Sequence, residues 1–323
     1  MQKRVQYVDL ASGILILWVM SFHAMNGCKV FGDVDVRVAL PFLTFSMPWF
    51  FYKSGQFARS GIPISEVARK GFKKFIIPFL KWGLIGYGVY LVIQAVNGTW
   101  SVDTCINNVW NTFYIYGYIP INTPSWFILS LFAVRVISQS LIKWSVPPAL
   151  IMVVGIALGY LFHLWNNPQV PFYLANISMG IAFYMMGYRF SRWESHKWLF
   201  VACAVGYVSF LVFGCSIVGH HRNILLEGHY LLWPLFAYCG IITFNNVCRY
   251  LDGLISRSRF SHFRPLSFIG RNAMTLLVSH ALIYAPIIQF STLSPWQTVG
   301  LIWGGYVLFL TPLLWRKKGQ ASS

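Results

Sequence analysis

This sequence is poor in charged side chains, and above all in acidic ones. Asp and Glu together number 8 in 323 residues, and all charged residues make up 10% of the chain, whereas a soluble domain carries about 25%. So few charges cannot coat a globule of this size, which excludes a soluble multidomain enzyme. A disordered chain is excluded as well, since 57% of the residues are hydrophobic and 18% are aromatic.

Several signatures of enzymes and metal proteins are also missing. The chain has no Walker loop, GxSxG, HExxH or dinucleotide fingerprint, which argues against ATP-driven pumps and ordinary serine hydrolases. The 6 cysteines form no CxxC pair, and the histidine-rich segment 219–229 fits no zinc pattern. We therefore expect no metal. Cys28 and Cys105 both fall on the predicted outer side, and a disulfide between them remains open.

Apolar stretches long enough to cross a bilayer recur along the whole chain. A hydrocarbon core of about 30 Å needs about 20 apolar residues per helix. We expect ten such helices, over residues 8–27, 38–58, 76–95, 126–143, 147–165, 172–190, 198–218, 229–247, 266–289 and 296–315. The connections are mostly too short for a separate soluble domain. The sequence thus predicts an all-α integral membrane protein, with one polytopic domain over residues 1–323.

Basic residues are sorted to one side of this arrangement. Most of the 25 Lys and Arg residues lie in the ends and loops on the side of the two termini, while the opposite side holds Lys29, Arg37 and Arg222. Cytoplasmic loops of membrane proteins carry such an excess, so both termini are expected in the cytoplasm. The net charge of +17 then reflects topology and not nucleic-acid binding.

The first predicted helix carries ionisable residues where a bilayer makes them costly. Asp9 interrupts the apolar run that follows the N-terminal basic residues, and no convincing cleavage site comes after it, so we interpret the run as a retained helix and not as a signal peptide. At 100° per residue, Asp9, Ser12, Gly13 and His23 fall on one face. This face is otherwise surrounded by Leu, Ile, Val, Trp and Met.

A second histidine, His280, lies in the ninth predicted span at a depth similar to that of His23. Two histidines in the outer half of the membrane could line one cavity. Neutral imidazole is the side chain best suited to take a hydroxyl proton near pH 7. Two unrelated histidines with structural hydrogen bonds are the alternative.

Four more cations fall inside predicted spans. Arg135 lies in the middle of the fourth span, where its guanidinium must form an ion pair, line a water-filled cavity or snorkel to the membrane surface. Glu227 and Asp9 are its possible partners. A structural ion pair and a contact to the ligand are equally compatible with the sequence. Lys53, Lys81 and Arg271 lie near a cytoplasmic boundary, where snorkelling alone explains them.

The segment ARKGFKKFIIP places four basic residues on one side of a helix that leads into the third span. They are Arg69, Lys70, Lys73 and Lys74. Anionic lipid headgroups are one explanation, and a phosphorylated cytoplasmic ligand is the other, with the cations just inside the membrane extending that surface. On the outer side, loop 96–125 is rich in Asn, Thr, Tyr and Trp. It suits either a carbohydrate acceptor or an interfacial aromatic belt.

Six blocks in order along the chain resemble the membrane-bound acyltransferase 3 family, especially its fucose-4-O-acetylase-like branch. The blocks are VDLASGILILWVMSFH, FSMPWFFYKSGQF, ARKGFKKFIIPFL, PSWFILSLF, FYMMGYRF and IGRNAMTLLVSHALI. The resemblance implies an O-acyltransferase, with acetyl-CoA as the expected acyl-CoA donor on the cytoplasmic side and a hydroxyl of a sugar, glycan or glycolipid as acceptor. It further implies a multi-pass protein of the bacterial inner membrane.

The resemblance implies that His23 is the general base, that Arg69, Lys70, Lys73 and Lys74 contact CoA, and that Trp126 shapes the acyl or acceptor pocket. The polar residues inside the predicted spans extend this set. We expect His280 and Asp9 in the catalytic group, Lys53 and Arg271 as further contacts to CoA, and Arg135, Glu227 and Ser12 as further contacts to substrate. At the position of Ser12 the family usually has Arg or Lys, so this chain lacks one family cation. The oligomeric state is left open.

The main alternative is a transporter or flippase of a polysaccharide or lipid-linked sugar. Such proteins often show inverted repeats with paired Gly or Pro interruptions, and the two halves of this sequence show no such symmetry. Binding of acetyl-CoA would distinguish the two functions.

Overall fold

The computed structural model describes residues 5–111, 118, 120–165, 173–213, 232–258 and 264–312. These residues form helices joined by loops and short turns, which confirms the all-α prediction. The main helices are α1 (Gln6–Gly27), α2 (Ser46–Gln56), α3 (Ile64–Val96), α4 (Val102–Trp110), α5 (Trp126–Lys143), α6 (Pro148–Trp165), α7 (Tyr173–Phe190), α8 (Lys197–Val212), α9 (Leu232–Arg257), α10 (Pro265–Arg271), α11 (Ala273–Phe290) and α12 (Pro295–Gly305).

Four helical segments of the described chain are long and apolar enough to cross a membrane. They are α1, α3, the segment Thr123–Lys143 that contains α5, and α11. Pro148–Phe162 and Lys197–Val212 are shorter apolar helices. These segments agree with a membrane protein, while the count of ten spans and the cytoplasmic location of both termini stay predictions.

Two predicted spans are divided in the structure. The span expected over 38–58 contains the 11-residue helix α2, because Leu40 before Pro41 is non-helical (φ −130°, ψ 72°), as the steric clash with a following proline favours. The span expected over 266–289 is divided at Asn272 (φ −105°, ψ 10°), which ends α10 and precedes α11. The physical reason in both cases is a local backbone break inside an apolar run.

Two of the sequence blocks pack directly on each other through reciprocal glycines. A Cβ at Gly55 of α2 would overlap the carbonyl oxygen of Tyr184, and a Cβ at Gly187 of α7 would overlap that of Tyr52. Small residues allow transmembrane helices to approach this closely. Glycine at both positions therefore brings the backbones of α2 and α7 into contact, in the core that surrounds Phe51 and Phe183.

A buried polar network joins α1, α2, the turn after α7 and α9. Its centre is the carboxylate of Glu194, which is fully buried and forms ion pairs with Lys53 (Nζ–Oε1 2.9 Å) and Arg249 (Nη2–Oε2 2.7 Å). Both cations also donate to the hydroxyl of Tyr7, at 3.1 and 2.8 Å, and Asn245 donates to Glu194. One carboxylate thus connects four separate parts of the chain.

Lys53 differs from its sequence-based expectation. It was expected to snorkel or to extend a surface for a phosphorylated ligand, but its side chain is 5% exposed and is paired with Glu194. A buried charge needs a partner and further hydrogen bonds, and Glu194, Tyr7 and Gln56 supply them. The structure therefore places Lys53 in the network that holds α2, and not on a solvent-facing basic surface.

Candidate active site

A cavity of about 350 Å³ lies where α1, α2, α5, α7 and α9 meet. These are the ends of the helices that the predicted topology places outside. Aromatic rings and short polar side chains share the lining, which includes Trp18, Phe22, Phe51, Trp126, Phe183, Trp233, Asn26, Thr44, Thr123 and Asn176. An apolar cavity of this size with a few polar groups is the usual form of a small-molecule site.

The cavity brings together two of the site residues expected from the sequence. His23 reaches it from the last turns of α1, and Trp126 from the first turn of α5. His23 is half-buried on the wall. An imidazole in that position can exchange a proton with a hydroxyl group held in the cavity.

His280 lies next to His23 but deeper in the protein. The centroids of the two rings are 5.4 Å apart, as expected from their similar depths in the sequence. His280 is fully buried, and its Nδ1 lies 2.9 Å from the carbonyl oxygen of Leu276. Tyr284 stacks on His23 with 5.8 Å between ring centroids and 2° between planes. The two histidines and Tyr284 therefore form one compact group.

The start of α5 is fixed to α11 by Asn122. This side chain is fully buried and its Nδ2 donates to the carbonyl oxygen of Val278 at 2.8 Å, while Ser125 donates back to the carbonyl of Asn122 at 2.5 Å. Thr123 also contacts the hydroxyl of Tyr284 at 3.3 Å. These bonds position Trp126 at the cavity and keep it in register with the helix that carries His280.

An ion pair that sequence reasoning did not assign to the site lies on the cavity wall. Arg37 donates from Nε and Nη2 to the carboxylate of Asp35 at 2.9 and 2.8 Å, and its guanidinium lies 5.0 Å from the ring centroid of Phe22. Both residues line the cavity. Because their charges compensate, the pair gives the wall a polar surface without net charge.

The part of the polar face of α1 that lies toward the N-terminus, away from His23, packs against α10. Ser12 is 9% exposed and donates to the carbonyl oxygen of Gly270 at 3.3 Å. Side chains at Gly13 or Gly270 would collide with the backbone of the facing helix, at Leu266 and at Asp9 respectively. Ser12 and the backbone of Asp9 thus form a helix contact. Within the described chain this contact, and not a channel, covers the Ser12 part of the face.

The four basic residues at the start of α3 are exposed, as expected, and lie away from the cavity lining. Lys70 pairs with Glu66 at 2.5 Å, so part of the positive charge is compensated. The helix opens into a π-helical turn over Phe72–Ile76, a feature that is frequent at functional sites. This turn contains Lys73 and Lys74 and presents them to the surface.

Arg135 lies between the basic surface and the cavity. Its guanidinium stacks on Phe75 of the π-helical turn at 5.4 Å, and among the described residues its buried Nε has no hydrogen-bond partner. Glu227, one of its expected partners, lies outside the described residues. Lys81 and Arg271 are exposed and lie over the rings of Trp82 and Phe268. Cys28 and Cys105 are both free thiols.

Sequence reasoning missed Glu194, Asn122 and Tyr284, and it assigned no site role to Asp35 or Arg37. Glu194 follows basic residues in a short connection, where an acid is ordinarily solvated. The sequence feature that could have drawn attention to Glu194 is the scarcity of acidic residues, of which the chain has 8. Asn122 belongs to the loop that was interpreted as an aromatic belt or acceptor surface. No pattern distinguished it from the other asparagines there.

Comparison with known protein families gives a match over nearly the whole chain. The model of a family described as an acyltransferase domain matches residues 5–315. The match therefore includes every helix described above, the cavity and the basic surface. No curated protein and no solved structure matches the chain.

Proposed function

The chain belongs to the acyltransferase 3 family, and from this premise we propose that it is a membrane O-acetyltransferase that acts on a sugar, glycan or glycolipid. Its donor is acetyl-CoA, which approaches from the cytoplasm, and it works in the bacterial inner membrane. The family supports acyl transfer. The choice of an acetyl group and of a carbohydrate hydroxyl is our proposal.

One observation carries the proposal most directly, namely that His23 lies on the wall of the aromatic cavity. The lining combines flat apolar rings with amide and hydroxyl groups, which is the combination that binds a sugar by stacking and hydrogen bonding. The Asp35–Arg37 pair adds polar groups without net charge. A neutral hydroxyl-bearing acceptor placed there would lie against the imidazole of His23.

The reaction follows from this arrangement. A ring nitrogen of neutral His23 takes the proton of the acceptor hydroxyl while the oxygen attacks the thioester carbon of acetyl-CoA. The C–O bond forms and the carbonyl electrons move to oxygen. The tetrahedral intermediate then collapses, the C–S bond breaks, and the CoA sulfur receives the proton from His23. The products are the acetyl ester and free CoA, and His23 is neutral again.

The donor must reach this cavity from the opposite side of the membrane. The exposed Arg69, Lys73 and Lys74 at the start of α3 suit the phosphates of CoA. Arg135 follows Trp126 by nine positions, about 13 Å along α5, and it stacks on the same turn that carries Lys73. We assign Arg135 to the path of the donor between the basic surface and the cavity. Lys53 is left out of this surface because it is buried.

Acetyl transfer itself tests the proposal. Membranes are prepared from a native host that lacks the gene and from the same host with the gene restored, and radiolabelled acetyl-CoA is added. We expect label in the glycan fraction only when the gene is present, and we expect mild alkali to release it, as for an ester. Equal incorporation in both membranes would contradict the proposed function.

The donor surface is tested by replacing Arg69 and Lys73 together with alanine. Acetyl-CoA should raise the melting temperature of the detergent-purified wild type, because a ligand that binds the folded state stabilises it. Loss of two charge-assisted contacts should increase the acetyl-CoA concentration for half of this rise by about tenfold. The difference should shrink at high salt, since exposed charges are screened.

The matched control is Lys143→Ala, which removes an exposed lysine from the end of α5 and should leave the acetyl-CoA response unchanged. If acetyl-CoA does not stabilise the wild type, the transporter alternative is favoured. If the double variant and the wild type need the same acetyl-CoA concentration for half of the rise in melting temperature, CoA binds elsewhere. That result would contradict the donor surface but not the transferase activity.

A further inference from the structure

The two histidines of the site differ in their surroundings. His23 is half-buried and lines the cavity, whereas His280 is fully buried behind it. A group that takes a proton from a bound hydroxyl must reach that hydroxyl. His23 meets this condition from the wall of the cavity. His280 therefore needs a different explanation from that of a second base.

The hydrogen bond to Leu276 fixes which nitrogen of His280 carries the proton. The carbonyl oxygen of Leu276 only accepts hydrogen bonds, so Nδ1 at 2.9 Å must donate to it. A second proton would put a charge in a fully buried place, which is costly. Nε2 is therefore a lone-pair acceptor. It is buried and, within the described ranges, has no hydrogen-bond partner, and an orphaned buried acceptor of this kind requires a reason.

We propose that Nε2 of His280 accepts a hydrogen bond from a ring N–H of His23 during the reaction and so positions His23 as the base. The inference rests on the proposed function. With one ring nitrogen donating to His280, the other nitrogen of His23 carries the lone pair and faces the acceptor. His280 is then a positioning residue, in the way that a base is commonly oriented by a third group.

The neighbouring rings support this assignment. A separation of 5.4 Å between the His23 and His280 centroids allows one N–H···N hydrogen bond when a nitrogen of each ring points at the other. Tyr284 lies parallel to His23 and is held by Thr123, while Tyr306 packs on His280 with 6.3 Å between centroids. Tyr284 also contacts His280, with 5.6 Å between ring centroids, so the two imidazoles are packed against the same ring and against each other.

The hydrogen bond between His23 and His280 also stabilises His23 while it holds the proton taken from the acceptor hydroxyl. When His23 takes the acceptor proton it becomes an imidazolium and keeps donating to Nε2 of His280. A charged donor makes a stronger hydrogen bond than a neutral one, so the charge that appears in the reaction is stabilised where water is scarce. His280 neither gains nor loses a proton, and the proton returns from His23 to the CoA sulfur.

The test replaces the acceptor atom and then restores it. His280→Phe keeps a ring but removes Nε2, and we expect kcat for acetyl transfer to fall about 10- to 100-fold, with KM for acetyl-CoA within about twofold of wild type. His280→Gln places a carbonyl oxygen near the position of Nε2 and should recover most of the lost kcat. A role in packing alone predicts no recovery by Gln, which resembles the ring less than Phe does.

Tyr52→Phe is the matched control, because it removes another buried oxygen that lacks a partner among the described residues. Since Tyr52 does not line the cavity, this change should leave kcat unchanged. Rates are measured per molecule of monodisperse protein. If His280→Phe is not monodisperse, His280→Asn is used in its place. The Asn side chain can donate a hydrogen bond to the carbonyl of Leu276 but has no acceptor atom at the position of Nε2. Wild-type kcat in the Phe or Asn variant, or a Gln variant as slow as Phe, overturns the positioning role. A wild type that transfers no label overturns the proposed function instead.

Discussion

Replacing His23 by alanine should reduce acetyl transfer by about 10²- to 10⁴-fold, the range over which a general base contributes. The expected loss is in kcat, because the imidazole takes the hydroxyl proton in the transition state and does not hold the donor. KM for acetyl-CoA and the melting temperature should change little, since His23 is half-buried on a cavity wall. Label from acetyl-CoA in the glycan fraction is the measurement.

Ser21→Ala provides a control on the same turn of α1. The hydroxyl of Ser21 bonds the carbonyl oxygen of Leu17 at 2.8 Å, within its own helix, so its removal should leave transfer at the wild-type rate. A purified His23→Ala variant with wild-type turnover would show that another group acts as the base. A variant that is lost from the membrane would point to a structural role for His23.

Replacing Glu194 by alanine should produce the largest loss of stability. The variant leaves Lys53 and Arg249 without their carboxylate, and breaking a buried ion pair by removing one partner costs about 3–5 kcal/mol. Lys53→Met should cost less, because Arg249 still pairs with Glu194 at 2.7 Å. Thermal unfolding of the detergent-purified proteins, together with the yield of monodisperse protein, measures both effects.

The matched control for Glu194 is an ion pair of similar length at the surface. Asp33 lies 3.1 Å from Lys29, and its side chain is 94% exposed, so Asp33→Ala should leave the melting temperature unchanged. Equal melting temperatures for Glu194→Ala and wild type would mean that the network does not hold α1, α2 and α9 together.

Sequence reasoning predicted the candidate site in part. The helical period places Asp9, Ser12 and His23 on one face, and the structure shows that this face serves two purposes. Its Ser12 end packs on Gly270, while its His23 end lines the cavity. Helical periodicity in a sequence predicts which face of the helix a side chain lies on. It does not predict which residue of another helix that side chain contacts. The same limit explains why Lys53 resembled a snorkelling cation.

By itself the sequence determined the features that a membrane requires locally along the chain, namely few charges and long apolar segments. Scarce charge, apolar runs and ordered motif blocks are local properties, and they were enough to predict an all-α membrane acyltransferase, with His23 as the expected base. Tertiary structure decided which polar groups meet. It placed His280 behind His23, packed Ser12 on Gly270, and buried Glu194 among residues from α1, α2 and α9. Such pairings depend on contacts between positions up to 258 residues apart, and helical periodicity does not extend from one helix to another.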